Sequence, residues 1–164
     1  GPFPVVLVIH ENRGLNPYIE DVARRAAVEG FLALAPDGLA PVGGYPGNDA
    51  QGGEMFGKID NGKKFEDMLA AATWLKARPD SNGKIGATGF CYGGGVSNAL
   101  AVRMGADLAA AAPFYGGAPP AADVPKIKAA ILVLHGGEDK RLVDAWPEYE
   151  AATKAAGARH EGHI

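Results

Sequence analysis

Short apolar runs alternate with longer amphipathic stretches along the chain, and this alternation constrains the fold more than any other feature of the sequence. The runs are too short for typical helices, whereas the stretches between them carry apolar residues at helical spacing. The predicted strands are 4–10, 31–37, 84–90, 108–116, 129–136 and one within 158–164, and the predicted helices are 18–30, 63–79, 93–105 and 145–157. Doubly apolar strands that alternate with helices indicate an α/β fold, in which helices cover a mainly parallel sheet.

The polar segments of greatest chemical interest directly follow the predicted strands. They read HENRG, PDG, GFCYGG, FYGG and HGGEDK in chain order. The carboxyl ends of parallel strands lie at one edge of a sheet, and ligands bind there. The sequence therefore predicts a site at that edge. The segment from Gly38 to Met55, rich in Gly and Pro, is predicted to be a long loop that shapes this site.

Composition limits the class of protein. A chain of 164 residues fits one domain, here residues 1–164, and its net charge of −3 gives no reason to expect a nucleic-acid partner. No apolar run approaches the roughly 20 residues that cross a bilayer, so no membrane partner is expected. The single cysteine excludes an internal disulfide and a cysteine-built metal site, and it is compatible with a cytoplasmic location. No motif requires a metal or an organic cofactor.

That single cysteine, Cys91, lies between a predicted strand and a predicted helix, and three interpretations of it stay open. The spacing of Gly89, Cys91 and Gly93 matches the G-x-S-x-G nucleophile elbow with Cys in place of Ser. In such a turn the amide of Tyr92 and the helix N-terminus would stabilise negative charge beside the thiol. Alternatively, Cys91 is a small buried core residue. A phosphate-binding loop is the third interpretation, but G-K-[ST] and G-x-G-x-x-G are both absent.

A catalytic thiol needs a base, and the base needs an orienting carboxylate. The order nucleophile, acid, histidine that accompanies such elbows points to Asp139, which follows a predicted strand. A turn aspartate that bonds its own backbone is the alternative for this residue. Glu138 and Asp144 are the competing carboxylates.

The histidines fit this order poorly. After Asp139 only His160 and His163 remain, and both lie within the last predicted strand, from whose body a side chain cannot easily reach the edge. His10 and His135 end other predicted strands. We expect them to hold loop backbone in place rather than to act as the base.

The HENRG segment follows the first predicted strand and supplies three candidates. The amide of Asn12 is a candidate oxyanion donor, and Glu11 is placed near the thiol in the functional interpretation. Arg13 would bind a substrate carboxylate or form a structural ion pair. The alternative is a solvent-facing pair of Glu11 and Arg13 that contributes little to stability.

With HENRG, APD, GKIGATGFCYGGG, FYGG and HGGEDKRL in this order, the chain resembles the dienelactone hydrolase family of α/β-hydrolases over nearly its whole length. The resemblance implies a three-layer α/β-hydrolase fold and hydrolysis of a small ester or lactone through a Cys–Asp–His triad. By the same resemblance Cys91 is the nucleophile and Asp139 the acid, Glu11 interacts with the thiol, and the amides of Tyr92 and Asn12 bind the oxyanion.

Two departures from the family pattern shape the remaining expectations. The first strands and the triad histidine have no counterpart here, which indicates a partial domain with its histidine beyond Ile164. The alternative function is a catalytically impaired binding domain that holds a small molecule in the same pocket. A third hypothesis is a scaffold whose open sheet edges pair with another chain, and the sequence leaves room for a homo-oligomer.

Overall fold

Six β-strands and five α-helices make up the chain, with the six strands where the apolar runs predict them and one helix more than the four predicted. A computed structural model describes all residues from Gly1 to Ile164. The strands are β1 (Phe3–Ile9), β2 (Leu32–Leu34), β3 (Ser81–Phe90), β4 (Ala110–Phe114), β5 (Ala130–Leu134) and β6 (His160–His163). The helices are α1 (Pro17–Val28), α2 (Asp49–Gly57), α3 (Asn61–Lys76), α4 (Tyr92–Met104) and α5 (Lys140–Ala155). None of these helices combines the length and the apolar composition that a bilayer crossing requires.

The chain divides into two compact units, and the first comprises Gly1–Ile85. Within it β1 pairs with β2 in parallel, with Val5 opposite Leu32. The end of β1 is buried without interruption, which is why its sequence reads as a continuous apolar run rather than as an alternating one. Helices α1 and α3 pack on β1. The side chain of Asn16 caps α1 by accepting a 3.2 Å hydrogen bond from the amide of Ile19.

The second unit comprises Gly86–Ile164 and contains the end of β3 together with the last three strands. β3, β4, β5 and β6 pair in this order, and every pair is parallel. Helix α4 packs on β4, and α5 packs on β6. Its core contains the buried residues Leu100, Ala101, Ala111, Ile131, Val133 and Trp146. The parallel strands and their helices confirm the predicted α/β class.

The segment 38–55 is not the long loop that its composition predicted. It contains a short 3-10 helix, Ala40–Val42, and most of α2. Helix α2 begins because the side chain of Asn48 accepts a 3.0 Å hydrogen bond from the amide of Gln51. One of the glycines that suggested a loop, Gly52, has a packing reason instead, because a Cβ there would overlap the carbonyl group of Arg13.

The last helix begins five residues before its predicted start. The predicted helix covers 145–157, so Pro147 would lie in its first turn, where proline is tolerated. In the structure α5 begins at Lys140 and runs through Pro147, which removes one backbone hydrogen bond from its interior. The side chain of Asp139 caps this helix. The predicted strand at the end of the sequence is confirmed as β6.

Candidate active site

Cys91 occupies a sharp turn between the last residue of β3 and the first residue of α4. Its backbone has φ 53° and ψ −109°, in the left-handed region that residues other than glycine rarely adopt. Its amide donates a 3.0 Å hydrogen bond to the carbonyl of Phe114 at the end of β4. The thiol is exposed, so the interpretation of Cys91 as a buried core residue is wrong.

Glycines make this turn sterically feasible. A Cβ on Gly89 would overlap the backbone of Gly93, and a Cβ on Gly94 would lie 2.5 Å from the carbonyl oxygen of Phe114. A Cβ on Gly116, in the loop after β4, would in turn overlap the backbone of Gly94. Strand, turn and helix are therefore in backbone contact, which is the close approach that the G-x-C-x-G spacing predicts.

The turn also places the N-terminus of α4 directly after the thiol. The first N–H groups of a helix have no acceptor within that helix, and the helix dipole gives this end a partial positive charge. Tyr92 is the first residue of α4, so its amide is the one next to Cys91 along the chain. This arrangement can stabilise negative charge that develops beside the thiol.

Asp139 follows β5 and caps α5. One of its carboxylate oxygens accepts a 3.4 Å hydrogen bond from the amide of Leu142, and the other lies 3.5 Å from the guanidinium of Arg141. In the structure Asp139 therefore bonds the backbone of its own helix, which is the alternative interpretation of this residue. It forms no hydrogen bond with Cys91. Glu138 and Asp144 are exposed on either side of it.

None of the hydrogen bonds made by the histidines of the second unit involves the thiol of Cys91. The ring of His160 pairs with the carbonyl of Ala158 at 3.0 Å, and that of His163 lies 2.7 Å from the carboxylate of Glu161. His135 follows β5 and packs edge-on against Trp146. Burial lowers its pKa, against the opposing effects of a backbone hydrogen bond at Leu134 and of Asp139. None of the three is hydrogen-bonded to Cys91 or to Asp139.

His10 holds loop backbone in the first unit, as its place at the end of β1 predicted. It is fully buried, its Nδ1 donates to the carbonyl of Glu11, and its Nε2 accepts a 2.8 Å hydrogen bond from the amide of Gly38. These two bonds require the neutral ring with its proton on Nδ1. Burial lowers the pKa of His10 in the same sense.

The HENRG segment forms an ion-pair chain with α2. A guanidinium nitrogen of Arg13 lies 3.4 Å from the carboxylate of Glu11, and another lies 3.4 Å from that of Asp49. Asp49 also accepts a 2.7 Å hydrogen bond from the hydroxyl of Tyr45, which lowers the pKa of the carboxyl group. Sequence reasoning missed Asp49 and Tyr45 because both lie in the segment predicted to be a loop. The available signal was Asn48 followed three residues later by Gln51, a helix-start pattern.

The ion-pair chain borders an open cleft of about 390 Å³ in the first unit. Its lining residues are Asn12, Arg13, Asp49, Ala50 and Gly53. Two of the predicted site residues, Asn12 and Arg13, therefore share one cavity. No group of three or more His, Cys, Asp or Glu side chains is arranged to hold a metal ion.

The sequence profile of the dienelactone hydrolase family matches residues 1–164. The chain belongs to this family. This structure is similar to the crystal structure of a protein provisionally named dienelactone hydrolase from Klebsiella pneumoniae subsp. pneumoniae MGH 78578. The TM-score is 0.83, and the two sequences are 27% identical. That similarity covers 100% of this chain and 74% of the Klebsiella chain.

Two curated proteins are similar to this chain in sequence. A protein of Escherichia coli K12, provisionally named hydrolase fragment YghX, is 67% identical over 60 residues, which are 37% of this chain and 51% of that protein. A protein of Methylorubrum extorquens, provisionally named carboxymethylenebutenolidase, is 33% identical over 172 residues, which are 96% of this chain and 59% of that protein. The chain thus spans somewhat more than half of the length of these relatives.

Proposed function

We propose that the chain carries the nucleophile of a hydrolase that cleaves small esters or lactones by acyl transfer from a cysteine to water. The observation that carries the proposal is the backbone of Cys91, held at positive φ between β3 and α4 with its thiol exposed. Backbone strain of this kind costs on the order of 1–3 kcal/mol and concentrates at functional sites. Membership in the dienelactone hydrolase family supports the same reaction class.

In the proposed reaction the thiol of Cys91 loses its proton, and the thiolate attacks the carbonyl carbon of the ester. A carbon–sulfur bond forms, and the carbonyl electron pair moves to oxygen, where the amides of Tyr92 and Asn12 are proposed to bind it. Collapse of this intermediate breaks the ester bond, and the leaving alkoxide takes up a proton. Water then hydrolyses the thioester to release the acid and restore the thiol.

Two charged residues have proposed roles that follow the family pattern: Glu11 interacts with the thiol, and Asp139 orients the base. Arg13 is proposed to contact the substrate because of its place in the HENRG segment, after β1. For Asp139 this role requires its carboxylate to leave the weak 3.4 Å cap bond with Leu142. We assign the base to none of His135, His160 and His163, because none of them is hydrogen-bonded to Cys91 or Asp139.

The bonds of Asp139 favour a second candidate function. Its carboxylate is occupied by the amide of Leu142 and the guanidinium of Arg141, within its own helix. With the carboxylate held in this way, the same elbow could hold an ester or a related small molecule without turning it over, as a catalytically impaired binding domain.

Steady-state hydrolysis of p-nitrophenyl acetate and of a small lactone separates the two functions. For a cysteine hydrolase, Cys91→Ala should lower kcat/KM by on the order of a hundredfold or more. A Cys91→Ala variant that keeps full activity would overturn the assignment. Saturable binding of the lactone without turnover in the unmodified protein would favour the binding domain.

A further inference from the structure

Tyr115, the residue that follows β4, is strained in the same sense as Cys91. Its backbone has φ 39°, and Cys91 and Tyr115 are the only residues other than glycine with a positive φ. Glycine occupies the eight other positive-φ positions of the chain, where it pays no steric cost. A bulky side chain in this region is an outlier that persists only where the surrounding structure fixes the backbone. The chain therefore keeps a tyrosine where a glycine would be less strained.

One peptide group connects the two strained residues. The carbonyl of Phe114 accepts the 3.0 Å hydrogen bond from the amide of Cys91, and the amide of Tyr115 donates a 2.7 Å hydrogen bond to the carbonyl of Leu134 at the end of β5. Because a trans peptide is planar, its C=O and N–H point in opposite directions, so this peptide bridges the turn after β3 and the end of β5. A rotation of the peptide changes the φ of Tyr115 and breaks both hydrogen bonds.

Contacts on both sides of Tyr115 hold its strained conformation. The next residue, Gly116, lies so close to α4 that a Cβ on it would overlap the backbone of Gly94. The ring of Tyr115 lies 6.2 Å from the ring of Phe90, measured between centroids, and Phe90 is the buried residue directly before Cys91. The backbone and the ring of Tyr115 therefore both meet the elbow that carries the thiol.

We propose that Tyr115 is a positioning residue for Cys91: it holds the peptide that fixes the Cys91 amide, and thereby sets the direction of the thiol. The proposal rests on the proposed function, in which the thiolate attacks an ester carbonyl. That attack requires the sulfur and the amide of Tyr92 to meet the same carbonyl group, so an elbow that relaxes loses rate while it keeps its thiol. The strain at Tyr115 is the cost of an elbow that stays in one conformation.

Two substitutions separate the backbone and ring of Tyr115 from its hydroxyl. Tyr115→Gly accepts a positive φ without strain and removes the ring, so the peptide before it is free to rotate. Tyr115→Phe keeps the ring and the strain, and it is the matched control.

Two reactions of Cys91 are followed by intact mass in each protein. Acylation by p-nitrophenyl acetate requires the oxyanion geometry, whereas alkylation by iodoacetamide requires only a reachable thiolate. We expect Tyr115→Gly to lower the rate of acylation by about tenfold or more and to leave the rate of alkylation nearly unchanged. Tyr115→Phe should match the unmodified protein in both reactions. A purely structural role would instead change the two rates together.

Hydrogen exchange, followed by NMR, tests the inference without any ester. The amide of Cys91 should exchange about tenfold faster in Tyr115→Gly than in the unmodified protein, because its acceptor is no longer held. The amide of Ala130, which donates to the carbonyl of Ala109 at 3.1 Å in the same unit, is the internal reference and should not change.

These measurements separate failure of the inference from failure of the proposed function. Faster exchange at Cys91 alone supports the inference even if the unmodified protein is not acylated, an outcome that would count against the hydrolase only. An unchanged ratio of acylation to alkylation in Tyr115→Gly would overturn the inference, as would an equal loss of acylation in Tyr115→Phe. Unchanged exchange at Cys91, or equal acceleration at Cys91 and Ala130, would also overturn it.

Discussion

The amide of Cys91 donates a 3.0 Å hydrogen bond to the carbonyl oxygen of Phe114, which ties the turn after β3 to the last residue of β4. This bond keeps the backbone of Cys91 in a conformation that it would not adopt in an unstructured chain. The geometry of the candidate nucleophile is therefore a property of two neighbouring strands and of the glycines between them, and each of these parts can be tested separately.

Gly94, in the first turn of α4, should be irreplaceable. In Gly94→Ala the new methyl group would lie 2.5 Å from the oxygen of Phe114, so the helix must shift or the strand must give way. We expect a loss of about 1–3 kcal/mol in the free energy of unfolding, measured by urea denaturation, and a slower reaction of Cys91 with esters.

Gly95 on the same helix provides the matched control for this substitution. A Cβ there would meet its nearest neighbour, the amide nitrogen of Gly117, at an ordinary 3.8 Å. Because alanine is the better helix former, Gly95→Ala should be neutral or stabilising by up to about 1 kcal/mol. Equal stabilities of the two variants would contradict the packing that the structure shows.

A buried hydrogen-bond chain connects α4 with α5 and should be costly to interrupt. The hydroxyl of Tyr149 donates to Asn98 at 2.9 Å, and the amide nitrogen of Asn98 donates to the carbonyl of Gly117 at 2.9 Å. Tyr149→Phe leaves the side-chain oxygen of Asn98 buried without this donor, so we expect a loss of about 1–3 kcal/mol in unfolding free energy. In a double-mutant cycle with Asn98→Leu, strictly additive effects would refute the coupling.

The same tyrosine should make the stability of the protein depend on alkaline pH. Burial raises the pKa of Tyr149 to about 12, above the value of about 10 for an exposed tyrosine. Between these values the unfolded chain has lost the proton and the folded chain retains it, so stability falls as the pH rises from about 10 to about 12. The expected loss is on the order of 2–3 kcal/mol and should be absent from Tyr149→Phe. Parallel pH profiles of the two proteins would contradict this account.

The structural role of Asp139 and its proposed catalytic role can be tested separately. Asparagine caps helices about as well as aspartate, so Asp139→Asn should keep the unfolding free energy within about 0.5 kcal/mol, whereas Asp139→Ala should lose about 1 kcal/mol. If Asp139 is the triad acid, Asp139→Asn should nevertheless lower kcat by orders of magnitude. Unfolding curves and ester hydrolysis are measured on the same samples, and unchanged hydrolysis would remove Asp139 from the mechanism.

His10 should remain neutral as the pH falls below the usual range for histidine. Burial lowers its pKa, and protonation of Nε2 would break the 2.8 Å bond from the amide of Gly38. The unfolded chain takes up a proton near pH 6.5 while the folded chain does not, so His10 contributes a loss of stability as the pH falls below that value. Titration of the histidine Hε1 signal by NMR, assigned with His10→Gln, should give a midpoint below 6.5. A midpoint at or above this value would show that the ring is not held as described.

The sequence predicted the α/β class and the position of the turn at Cys91 because both depend on local patterns. Apolar periodicity marks the strands, and the G-x-C-x-G spacing reports a close approach that only glycine allows. The prediction failed at α2, since Gly52 there packs against the backbone of Arg13, a contact between segments about forty residues apart. For the same reason the pairing of Arg13 with Asp49 could not be predicted, because it depends on where α2 begins.

The sequence predicts the beginning of α5 too late along the chain. The predicted helix starts at residue 145, whereas α5 is capped by Asp139 and runs through Pro147. Leu142 and Trp146, which precede the proline, are buried. Tertiary packing of these side chains thus outweighs the local cost of an interior proline and extends the helix toward its N-terminus.

The central claim is that Cys91 is a nucleophile, and the intact mass of the protein during incubation with p-nitrophenyl acetate tests it most directly. We expect the unmodified protein to gain the mass of a single acetyl group, and Cys91→Ala to gain none under the same conditions. An adduct that forms and then clears would show that the thioester is hydrolysed. Equal labelling of the two proteins, or no labelling of either, would contradict the claim.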